Sequence, residues 1–207
     1  MEKIARISGL NFFSFQMPLY PLKDKDIEKK KYLIENLSDL TDQIDKTKVY
    51  MAYQDTGITV FFNCMFPFIE SNESEPRKGD SIELFFDTRD NKEAQTASRF
   101  CHHFVFFPAG KKGKEITRFR LEDRHDFCDP IALKVESTFS SKNYTMKIFI
   151  PSYCLYGYDP IQFQRLGFSF QVNRTKDLDP IYFNILPQEY SIEKNPSLWA
   201  SLQIEKE

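Results

Sequence analysis

Between Gly79 and Asp90 the chain alternates in hydrophobicity, with Ile82, Leu84 and Phe86 on one side of an extended backbone and Ser81, Glu83 and Phe85 on the other. The apolar trio predicts a core-facing strand, which aims Glu83 the opposite way in mid-strand. The same period of two runs through Ile58, Val60, Phe62, Cys64 and Phe66, and with 47–54 across the turn Asp55-Thr56-Gly57 it predicts a hairpin. Further strands are expected at 99–107 and 115–121 around a Gly- and Lys-rich turn, and at 131–139 and 144–150 around Ser140–Asn143. Three more are expected at 166–173, 180–185 and 198–204. Short strands at this spacing predict an all-β, two-sheet antiparallel sandwich of jelly-roll or immunoglobulin-like layering.

The first 44 residues read as an N-terminal extension packed on a single domain spanning 45–207. Within the extension, Ile27, Lys31, Ile34 and Leu37 have roughly helical spacing, and 11–15 is strand-like before Pro18 and Pro21 break the pattern. A second short helix is expected within 88–98, and a helical turn at 151–155.

Composition supports a β core: 21 Phe and 10 Tyr in 207 residues favour pleated, half-buried surfaces. Acidic and basic residues are mixed, with a net charge of −2, so neither nucleic acid nor an anionic membrane is an expected partner. The four cysteines (64, 101, 128 and 154) lack close pairing and the first residues lack an apolar leader, so free thiols and a cytoplasmic location are expected.

The strand Asp80-Ser81-Ile82-Glu83-Leu84-Phe85-Phe86-Asp87 resembles the "DSVELFFD" strand of the family-9 carbohydrate-binding modules and their DOMON-related relatives. The resemblance extends through the 48–60 hairpin, the Tyr144–Pro151 strand, Gly167–Asn173 and the Pro196-Ser197-Leu198-Trp199 ending, and includes stand-alone bacterial members of the superfamily. It implies a non-catalytic sandwich that binds a saccharide between two Trp side chains. The positions of those platforms are occupied here by Arg77 and Glu193, whereas the strand Glu is kept as Glu83 and a terminal polar residue as Asn173. Other aromatics available for stacking are Tyr153, Tyr156 and Tyr158 around Gly157, and Phe68.

The residues expected to bind a saccharide or other small polar ligand are Glu83, Arg99, His103, Arg118 and Asn173. A bland alternative pairs Glu83 with a neighbouring Arg such as Arg118 on a solvated face. A protein-interaction module that has lost the sugar site is the alternative function. A third is a metal-dependent enzyme, for which Cys101, His103, His125 and Cys128 are the available N and S ligands, although their spacing matches no standard zinc signature. No nucleophile elbow or phosphate-binding loop is present, and no cofactor is implied.

Overall fold

The computed structural model describes residues 15–35, 46–94, 96–117, 124–175, 178–183 and 191–206. Among the described residues, twelve strands form two sheets. In the first, the order is β1 (Gln16–Leu19), β12 (Ala200–Ile204), β10 (Arg165–Asn173), β5 (Ser81–Asp87), β6 (Cys101–Phe107) and β7 (Lys112–Glu115), with β11 (Ile181–Tyr182) also pairing β10. In the second, it is β2 (Leu33–Ile34), β3 (Thr47–Gln54), β4 (Gly57–Cys64), β9 (Tyr144–Pro151) and β8 (Lys134–Phe139). All pairings between these strands are antiparallel except β1 with β12, and an isolated parallel bridge joins Pro21 to Tyr53.

The core lies between the sheets. Ile82, Leu84, Phe86, Phe104, Phe106, Phe168 and Leu202 face Ile58, Val60, Phe62, Met146 and Ile148 across it, as the alternation requires. Phe62 meets Phe170 edge-on with ring centroids 5.4 Å apart. Two smaller apolar clusters cover the outer faces. Ile27, Tyr32 and Ala52 pack outside the second sheet, and Phe85, Ala97, Cys101, Ile192 and Trp199 outside the first.

The structure corrects three expectations. Among the described residues the helices at 26–37 and 88–98 are absent: Lys30–Tyr32 is a single 3₁₀ turn leading into β2, and 88–94 is a series of turns. Ile27 and Tyr32 are buried against Ala52, so this sequence packs by lying across the sheet rather than by presenting a helical stripe. The expected turn at 151–155 is present as the 3₁₀ turn Ser152–Cys154. Pro18 does not break the chain but sits in β1, an edge strand, where a missing N–H is tolerated. The third correction is to the thiols: Cys128 and Cys154 form a disulfide with Cα atoms 4.9 Å apart, leaving Cys64 and Cys101 as buried free thiols. The thiol count therefore no longer points to a reducing compartment.

Candidate functional site

On the outer face of the first sheet, strand register assembles a polar row. Glu83 pairs with Gln171, Ser81 with Asn173, and Phe85 with both Ser169 and His103. Ser81, Glu83, His103, Ser169, Gln171 and Asn173 are all buried. Such a row costs desolvation unless each group is paired, and most are.

Glu83 is the hub. Oε1 accepts from Asn173 Nδ2 at 2.8 Å and Arg77 Nε at 2.9 Å, and Oε2 accepts from His103 Nε2 at 2.8 Å and from an Arg77 terminal nitrogen at 2.9 Å. The Arg77 contact is a bidentate fork. A carboxylate can accept only, so His103 donates through Nε2, and its Nδ1 is hydrogen-bonded to the Thr117 hydroxyl at 2.7 Å. The His103 ring is stacked on Phe85, centroids 4.2 Å apart. Burial alone would raise the Glu83 carboxyl, but hydrogen bonds from His103 and Arg77 outweigh it and hold the group at about 2. Pairing with Glu83 correspondingly raises Arg77 above its ordinary value.

Local structure explains how Arg77 arrives there. Asp80 accepts the backbone N–H of Ile69 at 2.6 Å and of Thr175 at 2.9 Å, pinning the 67–79 loop to the end of β10. Pro76 opens a 3₁₀ turn, Pro76–Lys78, and Ser81 Oγ donates to the Pro76 carbonyl at 2.7 Å. Arg77 is thereby laid over the sheet with its side chain 49 % exposed, while the carboxylate beneath is 1 % exposed. From the opposite side Glu193, in the 3₁₀ turn Ile192–Lys194, reaches Arg77 at 3.4 Å. That turn is anchored by buried Ile192, whose carbonyl accepts from the Trp199 indole at 2.9 Å.

The structure thus brings together three of the expected ligand residues: Glu83, His103 and Asn173. Arg99 is exposed, and its backbone carbonyl accepts from His125 at 2.6 Å; it is not among the partners of Glu83. Arg118 lies outside the described residues. Sequence reasoning missed Arg77 as a partner of Glu83 and Gln171 as a member of the row. Gln171 donates to Asn173 Oδ1 at 2.6 Å while its own Oε1 is buried without a partner. The period-two pattern of β10 contained the signal for Gln171. Three of the four aromatic residues considered for stacking are used elsewhere, and the fourth, Tyr153, is exposed in the Ser152–Cys154 turn. Phe68 packs on Phe139, Tyr156 on Phe100, and the Tyr158 hydroxyl donates to the Gln54 carbonyl.

The expected metal set does not converge. Alternation along β6 turns His102 inward and His103 outward, and Cys128 is held in the disulfide. The group that does converge is His102, Glu115 and His125, with Glu115 Oε1 2.8 Å from His102 Nδ1 and 2.7 Å from His125 Nε2.

The two-sheet architecture is shared with solved carbohydrate-binding modules of family 9. A family-9 module from Caldicellulosiruptor kristjanssonii solved with glucose superimposes with a TM-score of 0.68 at 17 % identity, covering 93 % of this chain and 96 % of that one. The cellotriose-complexed structure gives 0.64 at 17 % identity, covering 94 % and 95 %. A candidate carbohydrate-binding protein from Bacteroides uniformis gives 0.58 at 10 % identity over 93 % of this chain and all of that one. At these identities the likeness establishes the fold. The sequence matches no protein-family model and no curated protein.

Proposed function

We propose that this domain is a non-catalytic binding module that holds a saccharide or similarly small polar ligand on the outer face of the first sheet, between the 67–79 loop and the 191–199 segment. The observation that carries the reading is the buried polar row itself. Glu83, His103, Asn173 and Gln171 occupy the middle of a sheet face, where a sandwich needs only apolar cover, and the Gln171 Oε1 acceptor there is left unpaired. The structural neighbours in complex with glucose and cellotriose support a saccharide as the ligand class. Glu83 accepts four hydrogen bonds, which uses the lone-pair capacity of a carboxylate, so a ligand hydroxyl gains it only when Arg77 swings outward. Arg77 is the half-exposed member of the group.

The test is a glycan array followed by calorimetry on wild type, Arg77→Ala and Glu83→Gln. Binding strengthened by Arg77→Ala and weakened by Glu83→Gln is expected. Absence of glycan binding by both wild type and Arg77→Ala would overturn the reading.

A protein-interaction module is the second reading, favoured by one observation. The two positions that by resemblance carry the Trp platforms hold Arg77 and Glu193, which pair with each other at 3.4 Å and close over Glu83. On that reading Arg77→Ala exposes no glycan site and the row serves only to fix the two covering segments.

A further inference from the structure

On the opposite face of β6 from Glu83, at the edge of the sandwich, three side chains converge from three parts of the chain. Glu115 on β7 is paired with Phe104 and so shares its inward face, diagonal to His102. His125 comes from the connection between β7 and β8. We propose that His102, Glu115 and His125 are the protein ligands of a single divalent transition-metal ion of the zinc class.

The argument starts from proton positions at His125. Its Nδ1 lies 2.6 Å from the Arg99 carbonyl, which only accepts, so Nδ1 carries the ring hydrogen. Its Nε2 faces a second acceptor, Glu115 Oε1, at 2.7 Å. A cation must therefore stand between ring and carboxylate, either a second proton or a metal ion. His102 presents Nδ1 to the same oxygen at 2.8 Å, and its side chain, like that of Glu115, is fully buried. One metal ion between the three groups satisfies both imidazoles and the carboxylate at once. The Arg99 carbonyl on His125 and the Cys128 N–H on Glu115 Oε2, at 3.0 Å, supply the outer contacts that orient metal ligands.

Donor chemistry selects the ion. Two imidazole nitrogens and one carboxylate oxygen suit Zn²⁺, with the fourth position left to water, whereas Ca²⁺ and Mg²⁺ require oxygen shells. The two His–Glu separations are those of hydrogen bonds, and a tetrahedral ion spaces its donors roughly 3.3 Å apart. The cluster must open by about half an ångström on loading. His125 is the member able to yield, since it lies outside the strands and its side chain is 8 % exposed.

The test uses untagged full chain prepared without reductant, titrated with ZnCl₂ against a competing chelator, and with CoCl₂ for the visible absorption of four-coordinate Co²⁺. One ion per chain and a tetrahedral Co²⁺ spectrum are expected. His125→Asn, a rim substitution whose fold is checked by circular dichroism, should weaken binding by at least ~100-fold, more than loss of an outer contact costs. Asp126→Asn, on the exposed neighbour, should leave binding unchanged. Less than one ion bound at ~0.1 mM metal would overturn the assignment, as would binding that survives His125→Asn. Binding that appears only after reduction would also overturn it, because the ligands would then be the Cys128 and Cys154 thiolates.

Discussion

Arg77 lies across Glu83 as a two-pronged fork, both N–H···O distances 2.9 Å, with the guanidinium half in solvent and the carboxylate wholly out of it. The asymmetry matters energetically. Removing the Arg leaves a buried anion short of two donors, whereas removing the Glu releases an Arg that water can rehydrate but strands the buried donors of His103 and Asn173. Arg77→Ala is expected to lower stability by about 1.5–3 kcal/mol, read from denaturant midpoints. A shift below about 0.5 kcal/mol would show that water replaces the fork freely.

The acid limb of the stability profile should carry the signature of Glu83. Its carboxyl is held at about 2 against an ordinary 4.5. As pH falls through 4.5 the unfolded chain takes up this proton and the folded chain does not, so the contribution is complete above 4.5 and is lost progressively towards pH 2. The total is of order 3 kcal/mol. Glu83→Gln should be less stable at pH 7 by about 2–4 kcal/mol yet show a shallower fall between those pH values. Parallel curves for the two proteins would refute the assignment.

Leu84 is fully buried between the sheets and faces away from the polar row. Leu84→Ala should cost about 2–5 kcal/mol by opening a cavity, with little change in the denaturant slope. A cost under about 1 kcal/mol would mean that the core closes around the gap.

Cysteine chemistry separates into two classes. Peptide mapping under non-reducing conditions should find Cys128 joined to Cys154 and two unreacted thiols. Cys64 should resist alkylation in the native state, because burial pushes its thiol up to about 12. Reduction of the bridge should lower stability by about 3 kcal/mol, given the 26-residue separation of its ends. Four alkylated cysteines in native protein would sink both expectations.

Much of the fold was legible because period-two alternation is a local signal. β3 occupies 47–54 as predicted, and Ile82, Leu84 and Phe86 reach the core. The extension was harder to read. Its short strands β1 and β2 are made by partners distant in the sequence, Ser201–Ile204 and Val49–Tyr50, and carry little pattern of their own. At the site, Glu83 was visible as a polar residue in mid-strand. Its partner Arg77 was not, because the loop that delivers it is shaped by Asp80 and Pro76 in three dimensions, and a position resembling an aromatic platform gave no hint of a guanidinium. The His cluster was misassigned because the expected set took Cys101 and His103 from the outward face of β6, whereas His125 meets Glu115 on the inward face, where His102 points.

The parallel pairing of β1 with β12 has a consequence for synthesis on the ribosome. The first described strand must wait for nearly the last before its hydrogen bonds can be made. Until then the edge of β10 that receives β12 also stays open, since β12 lies between β1 and β10. From the completion of β10 until β12 is made, the nascent chain therefore carries an unpaired sheet edge. This is the state in which strand-edge association between chains competes with folding. Slowing synthesis of the segment between β10 and β12 should increase aggregation more than slowing any earlier segment.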